Sequence, residues 1–271
     1  MSSSAADIKL EQKQGYWLYQ YRLGKEYLVP LLQTWDIVLA EKTVLDIGCA
    51  EAGVLCAVAE QGARCNGIEL SPGRLSFARK FIPPAVVSQL HLTAANIYQL
   101  PLKPARFDLI LLRDVFEHLP DQERALQIIA HLTDANSRIL ITFPPFYSPF
   151  GGHQQMLKSF LRRVPYFHAL PEFLWRLVAR WIITNDSNAA FLTEMEKLRQ
   201  SRVTIGSFRR LAKKAGLKIR KGKFYLSRPS YRLRYGWPVI SGDWMSKIPL
   251  LREGFLTGAF FLLGKDEADK P

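Results

Sequence analysis

Apolar and polar positions along the chain fall into short β-branched runs separated by stretches of helical period. Thr43 to Ile47 is a run of apolar and β-branched residues that enters a small-residue turn, Gly48 to Gly53, and the apolar residues from Val54 to Ala59 then suit a buried helix. Further runs at Ala63–Leu70, Gln89–Ala94, Phe107–Leu112 and Ser137–Phe143 predict a second to a fifth strand. Helical spacing lies between and around them. Leu18, Tyr21, Leu28, Leu31, Leu32 and Trp35 form a stripe over Tyr16–Leu39, with a kink or break at Pro30. Ser71 and Pro72 are a helix cap and first helical residue ahead of Leu75, Ala78 and Phe81. Ala125, Ile128, Ile129 and Leu132 give Gln122–Leu132 its inner side. This alternation predicts an α/β fold, a mostly parallel sheet with helices on both faces.

Beyond residue 143 the rhythm changes. Residues 147–203 are too long for a connection and read as an inserted helical lid. Within it, a helix opening at Pro171 places Leu170, Phe173, Leu174, Leu177, Val178, Trp181 and Ile182 on one face, with Arg176 and Arg180 away from it. That face is expected to cover the core, or else to lie on a membrane surface together with Arg162 and Arg163. Thr204–Ala215 is the last regular helix, Leu217–Leu226 a sixth strand and Gly254–Gly264 a closing strand, joined by a basic, aromatic loop without a helix. The expected organisation is an N-terminal helical cap over 1–40 with its first 14 or so residues frayed, an α/β core over 41–146, the lid, and a C-terminal part of the sheet over 204–271.

The turn at Gly48 carries the chemistry. A strand that ends in a turn of small residues and runs into a helix leaves main-chain N–H groups free to face a ligand. Glu69, about 20 residues further at the end of the second strand, stands where a carboxylate accepts hydrogen bonds from ribose hydroxyls. Gly48-x-Ala50-x-x-Gly53 also permits a dinucleotide reading, although Asp46 does not suit it. The run Val44-Leu45-Asp46-Ile47-Gly48-Cys49 resembles the first motif of the class I S-adenosylmethionine-dependent methyltransferases, and Asp114-Val115-Phe116-Glu117-His118-Leu119 resembles a segment that many small-molecule members carry after the fourth strand.

That resemblance implies a Rossmann-like seven-stranded sheet whose last strand is antiparallel and inserted beside the fifth, with S-adenosyl-L-methionine as cofactor. It implies cofactor contacts from Asp46, from the turn at Gly48, Cys49 and Ala50, from Glu69 and Leu70, from Asn96 and Ile97 at the adenine, from Arg113 at the fourth strand's end, and from Tyr16 or Trp17 on a covering N-terminal helix. Ala50 and Ala52 depart from the family's usual glycines. Phe143-Pro144-Pro145-Phe146 is only superficially like the motif of amino-methylating nucleic-acid enzymes, since Phe143 replaces the polar first residue and the motif follows the fifth strand. His153, on a glycine hinge at Gly151-Gly152, and His118 are the candidate proton acceptors.

Charge and cysteines refine the expected partners. Of the net charge of +13, most resides in Lys197–Gly242, which holds fourteen Lys or Arg and no acid. Such a segment suits an anionic membrane, a phosphorylated or carboxylated substrate, or nucleic acid, and equally a solvated face without a ligand. Cys49, Cys56 and Cys65 are expected as reduced, packed thiols, and no metal site is expected. No apolar run reaches the roughly 18 to 20 residues of a spanning helix, and the N-terminus lacks a signal-peptide pattern, so the expected location is cytoplasmic, with peripheral membrane contact. The favoured acceptor is a small molecule, hydrophobic or anionic. An RNA methyltransferase and a non-catalytic protein with the methyltransferase fold are the alternatives.

Overall fold

A computed structural model describes residues 5–99 and 107–265, with side chains from residue 11 onward. In chain order the elements are α1 (Ala5–Leu23), continued by a wide turn of helix at Gly24–Leu28 into α2 (Val29–Thr34), then β1 (Thr43–Ile47), α3 (Gly53–Ala59), β2 (Arg64–Glu69), α4 (Pro72–Phe81), β3 (Leu90–Ala94), β4 (Leu109–Arg113), α5 (Gln122–His131) and β5 (Arg138–Phe143). After these come α6 (Glu172–Asn185), α7 (Leu192–Ser201), α8 (Ile205–Lys214), β6 (Leu217–Ser227), α9 (Pro229–Tyr235), β7 (Ile240–Ser241), α10 (Pro249–Phe255) and β8 (Gly258–Lys265). The chain is helical from Ala5, earlier than its polar start suggests, while residues 1–4 lie outside the described residues.

The strands form one mixed sheet in the order β3-β2-β1-β4-β5-β8-β6-β7. β1 to β5 are parallel, and β8 runs antiparallel between β5 and β6, pairing Phe143 with Ala259 and Tyr225 with Gly258. The expected fold is borne out, with one addition. The sheet has eight strands rather than seven, because the two-residue β7 pairs with β6 at the edge. The order reverses at β1, between β2 and β4, and ligands of open α/β sheets bind beyond the carboxyl ends of strands at such a point.

Two apolar layers flank the sheet. α1, α2, α3 and α4 bury Leu32, Val54, Leu55, Leu75 and Ala78 on one face. On the other, Phe116, Phe143, Phe208 and Phe261 interlock, with Phe208 and Phe261 ring centres 4.7 Å apart. Phe143 is fully buried here, which accounts for an aromatic residue ahead of the two prolines. All three cysteines are free and buried, and burial pushes the thiols of Cys56 and Cys65 up to about 12, so they are inert packing groups.

The lid and the C-terminal segment correct the reading of the sequence in two places. α6 turns Trp175, Ala179 and Ile182 inward, onto Leu157, Leu161 and Met195, so the lid has a small core of its own. Phe173, Leu174, Leu177 and Trp181, expected on the covered face, point outward. The helix is apolar over most of its circumference, so its period could not say which side a separate small core would take. The segment between β6 and β8 is not a bare loop either. It contains α9 and α10, and Pro229 and Pro249 open them.

Candidate functional site

β1 ends at a turn whose backbone leaves the ordinary regions. Gly48 has φ +76, and a Cβ there would come within 2.5 Å of Val115, so only glycine fits. Ala50 (φ 54) and Ala52 (φ 60) adopt the left-handed conformation that the more usual glycines would take without strain. Ala50 faces the cavity beyond the strands, whereas Ala52 is wholly buried in the apolar layer under α1. Relief of strain at Ala50 should therefore outweigh the entropy gained by the unfolded chain. Ala50→Gly is expected to stabilise the protein by ~0.5–1 kcal/mol, a rise of roughly 2 °C in thermal midpoint measured by calorimetry.

The cavity measures about 690 Å³ and spans the open edge of the sheet from α4 to α9. That volume suits a ligand of nucleoside size together with a second small molecule. Of the residues singled out in the sequence, Gly48, Ala50, Glu69, Leu70, Asn96, Ile97, Arg113, His118, His153 and Tyr16 line it. Glu69 is held in place because its carboxylate accepts the Ala50 N–H at 3.1 Å and the Ser71 N–H at 3.0 Å. Its remaining lone pairs are available to hydroxyl donors. Asn96 Oδ1 accepts the Tyr98 N–H at 3.0 Å, which fixes the side chain beside the buried Ile97.

Three expected contacts are displaced from the cavity. Asp46 is fully buried beneath the floor rather than lining it, 3.6 Å from the Arg113 guanidinium, and both its oxygens lack a hydrogen-bond partner. Burial pushes its carboxyl up to about 6, against the pull of Arg113. Asp46 therefore orients Arg113 from behind. The Cys49 thiol turns into the sheet towards Gly67, so only the backbone of that residue belongs to the turn. Trp17 likewise faces away, stacked on Tyr21 with ring centres 5.3 Å apart, leaving Tyr16 and Tyr19 as the aromatic cover from α1.

α1 is pinned over the cavity by a buried acid. Glu51 accepts from Lys13 Nζ at 2.8 Å and from Arg74 Nη2 at 2.9 Å, and Arg74 lies over the Tyr16 ring at 5.5 Å. Glu51, Lys13 and Tyr19 were not foreseen from the sequence, because their partners come from three separate elements.

At the other end of the cavity stand groups able to move a proton. Glu117 is buried, both its oxygens lack hydrogen-bond partners, and Oε1 lies 3.5 Å from His153 Nε2 and 3.9 Å from His118 Nε2. Burial, reinforced by the charge of Asp114, raises the Glu117 carboxyl well above the usual carboxylate range. Burial lowers both histidines, His153 the further, where the neighbouring His118, Arg228 and Arg234 add to the effect. These shifts favour the protonated carboxyl of Glu117 and the neutral forms of the two imidazoles. One ligating N or O atom from each of the three lies within 4.8 Å of the others, a spacing able to hold a cation. The glycines before His153 are not a hinge. Gly152 is packed so tightly on His168 that a Cβ would come within 2.3 Å of that residue's Cβ and 2.4 Å of its ring, and His168 is itself anchored by Nε2 on the Phe146 carbonyl at 2.6 Å.

The basic, aromatic segment contributes an unexpected wall. α9 brings Arg228, Tyr231, Arg234 and Tyr235 to the cavity. Arg228 Nη1 donates to both oxygens of Asp114 at 3.1 Å and its guanidinium lies 5.2 Å above the Tyr231 ring. Although burial opposes its charge, Asp114 holds Arg228 firmly protonated. Arg234 lies over Tyr19 at 4.4 Å and has no acidic partner among the described residues. The signal was present in the sequence, since Arg228, Tyr231 and Arg234 repeat every third residue and so share one helical face. Elsewhere in Lys197–Gly242 the excess charge is dispersed: Lys197, Arg199, Lys214, Lys221 and Lys223 are ion-paired with acids of five different segments or turns.

Comparison with known proteins agrees with this geometry. Residues 45–141 match the family model of a methyltransferase domain. A protein described as an uncharacterized methyltransferase of Mycobacteroides abscessus is 24% identical over 240 residues, covering 85% of this chain and 79% of that protein. Norajmaline N-methyltransferase of Rauvolfia serpentina is 30% identical over 102 residues, and this match spans 37% of the chain and 35% of the relative. Ubiquinone biosynthesis O-methyltransferase of Serratia proteamaculans is 24% identical over 102 residues, 38% of the chain and 42% of the relative. The fold is shared with magnesium protoporphyrin IX methyltransferase from Synechocystis, solved with bound S-adenosylhomocysteine, at a TM-score of 0.55 and 11% identity over 98% of this chain and 89% of that one. No helix among the described residues is long and apolar enough to cross a membrane. The first-strand turn, the oriented Glu69 carboxylate and the cavity at the sheet's reversal point together fit S-adenosyl-L-methionine, and residues 45–141 give this chain the matched domain and the fold of the class I S-adenosylmethionine-dependent methyltransferases.

Proposed function

We propose that the protein transfers the cofactor's methyl group to a hydroxyl of a small anionic molecule. The carrying observation is the Arg228 and Arg234 wall, which faces the same cavity as the Glu69 cradle. Its charge is only partly cancelled, since Asp114 answers Arg228 and Arg234 has no acid among the described residues. A carboxylate or phosphate on the acceptor completes the balance, and Tyr19 and Tyr231 supply apolar ring faces and hydroxyls beside it.

Glu69 is assigned the ribose hydroxyls, Asn96, Ile97 and Leu70 the adenine, and Arg113, with Asp46 behind it, the amino-acid end of the cofactor. S-adenosyl-L-methionine supplies an electrophilic methyl on a sulfonium, so the residues mainly align the acceptor and keep water out. Tyr16 and Tyr19 close the cavity from α1. His153, neutral and next to Glu117, takes the acceptor's proton through Nε2, with His118 second in line. The wall's inward position favours this reading over an RNA acceptor, because its rings and guanidiniums enclose a small volume instead of forming an open stacking platform.

The test is Arg234→Gln. Screening anionic hydroxylated metabolites with isotopically labelled methyl donor, by mass spectrometry, identifies the acceptor. The variant should then raise the acceptor KM by about ten-fold or more, in keeping with loss of a charge-assisted hydrogen bond, while donor affinity stays within two-fold. An equal KM in the variant, or transfer to RNA only, removes the anionic small-molecule reading.

A further inference from the structure

α6 has two apolar sides, and only one is used. Trp175, Ala179 and Ile182 are buried in the lid's own core. On the opposite side Phe173 and Leu177 are 67% and 66% exposed, and Leu174 and Trp181 are each 37% exposed. With about 100° between successive residues, these four share an outward sector roughly a quarter of the circumference wide. Phe160, 65% exposed, extends the strip beyond the helix by packing edge-on against Trp181, with ring centres 5.3 Å apart.

Cations surround this strip. Residues 155–185 hold five Lys or Arg and one acid, Glu172. Arg180 flanks the exposed sector, and Arg162 and Arg163 follow Phe160 in a short helical turn. These three arginines make no ion pair among the described residues, whereas Arg176 pairs with Glu172 at 3.1 Å. A helix with bulky aromatics and leucines facing water and unpaired arginines at their margin has the composition of an interfacial anchor.

We propose that the outer face of α6, together with Phe160, docks the protein on an anionic lipid surface. The helix lies in the headgroup plane, with Phe173, Leu177 and Trp181 at the boundary of the acyl chains and Arg162, Arg163 and Arg180 on lipid phosphates. The unpaired arginines at its margin make its charge complementary to a leaflet rich in acidic lipids. The anchor stands only a few residues from Gln155 and Met156, which line the cavity. The proposal does not depend on the methyl-transfer chemistry and stands or falls separately from it.

Vesicle co-sedimentation of the full chain tests it, comparing phosphatidylcholine vesicles with vesicles in which about a third of the lipid is phosphatidylglycerol. The wild type should partition at least ten-fold more strongly to the anionic vesicles, less so as salt rises. Phe173→Ser with Leu177→Gln should abolish at least nine-tenths of binding, and Arg162→Gln with Arg163→Gln should remove most of the preference for acidic lipid. All four side chains face solvent, so circular dichroism and the thermal midpoint should not change, which separates lost docking from lost folding. Lack of binding at low salt, equal binding to both vesicles, or binding unaffected by the paired substitutions overturns the proposal. So does sedimentation equilibrium showing that the same apolar residues hold two copies of the chain together without any vesicle binding.

Discussion

Glu69→Ala is expected to weaken S-adenosyl-L-methionine about a hundred-fold in calorimetric titration, and Glu69→Gln about ten-fold. The difference follows from what the side chain does. Its two oxygens accept the Ala50 and Ser71 N–H groups, so the carboxylate both shapes the turn and presents its free lone pairs to the cavity. Gln keeps one acceptor oxygen and loses the charge, which for a hydrogen bond to an ionised group removes ~1.5–3 kcal/mol. Alanine also frees the N–H of Ala50 in the turn and that of Ser71 after β2, so its thermal midpoint should fall while that of Gln changes less. A donor affinity unaffected in both variants would take Glu69 out of the cofactor site. Wild-type protein that takes up no donor at all would instead favour the non-catalytic alternative. Ala50 and Ala52 both stand where the family usually has glycine, and of the two only Ala50 lines the cavity.

Local pattern made the sheet readable from the sequence. Five parallel strands were evident as β-branched runs, and the antiparallel insertion beside β5 followed from the family resemblance. The turn at Gly48 and the acid at Glu69 were legible because both lie on consecutive elements with a fixed offset. Residues brought together over long separations were not. Arg228 meets Asp114 across 114 positions, and His153 meets Glu117 across 36, and no local period encodes either meeting. Asp46 shows a subtler limit. Its place in the strand was right, but strand alternation alone does not tell which layer lies behind a side chain, and Arg113 occupies the space between it and the cavity. In α6 the period itself misled, because a helix apolar on two sides gives no preference until the separate core of the lid chooses one.

His153→Asn carries the other large effect and tests the proton path. His153 has φ 56, a left-handed conformation that Asn adopts readily, so the backbone should persist and the change should be confined to the ring. Loss of a general base should lower kcat by ~10²–10³, with donor affinity within two-fold because Glu69 and Asn96 are untouched. The wild-type pH profile gives an independent readout. A base works in its unprotonated form, and burial, then the charges of His118 and Arg228, hold His153 well below its ordinary 6.5. At saturating donor and acceptor, the wild-type rate should therefore stay level as pH falls through 6.5, where an exposed histidine would already be half protonated. A decline centred near 6.5 would point to a different, solvent-facing base. His118→Asn should cost less, since His118 Nε2 is farther from Glu117 and its Nδ1 lies 3.7 Å from the exposed Glu194. Equal losses from both substitutions would mean that the two imidazoles act as one relay, and no loss from either would mean that the acceptor atom needs no deprotonation, as for an amine already neutral when it attacks.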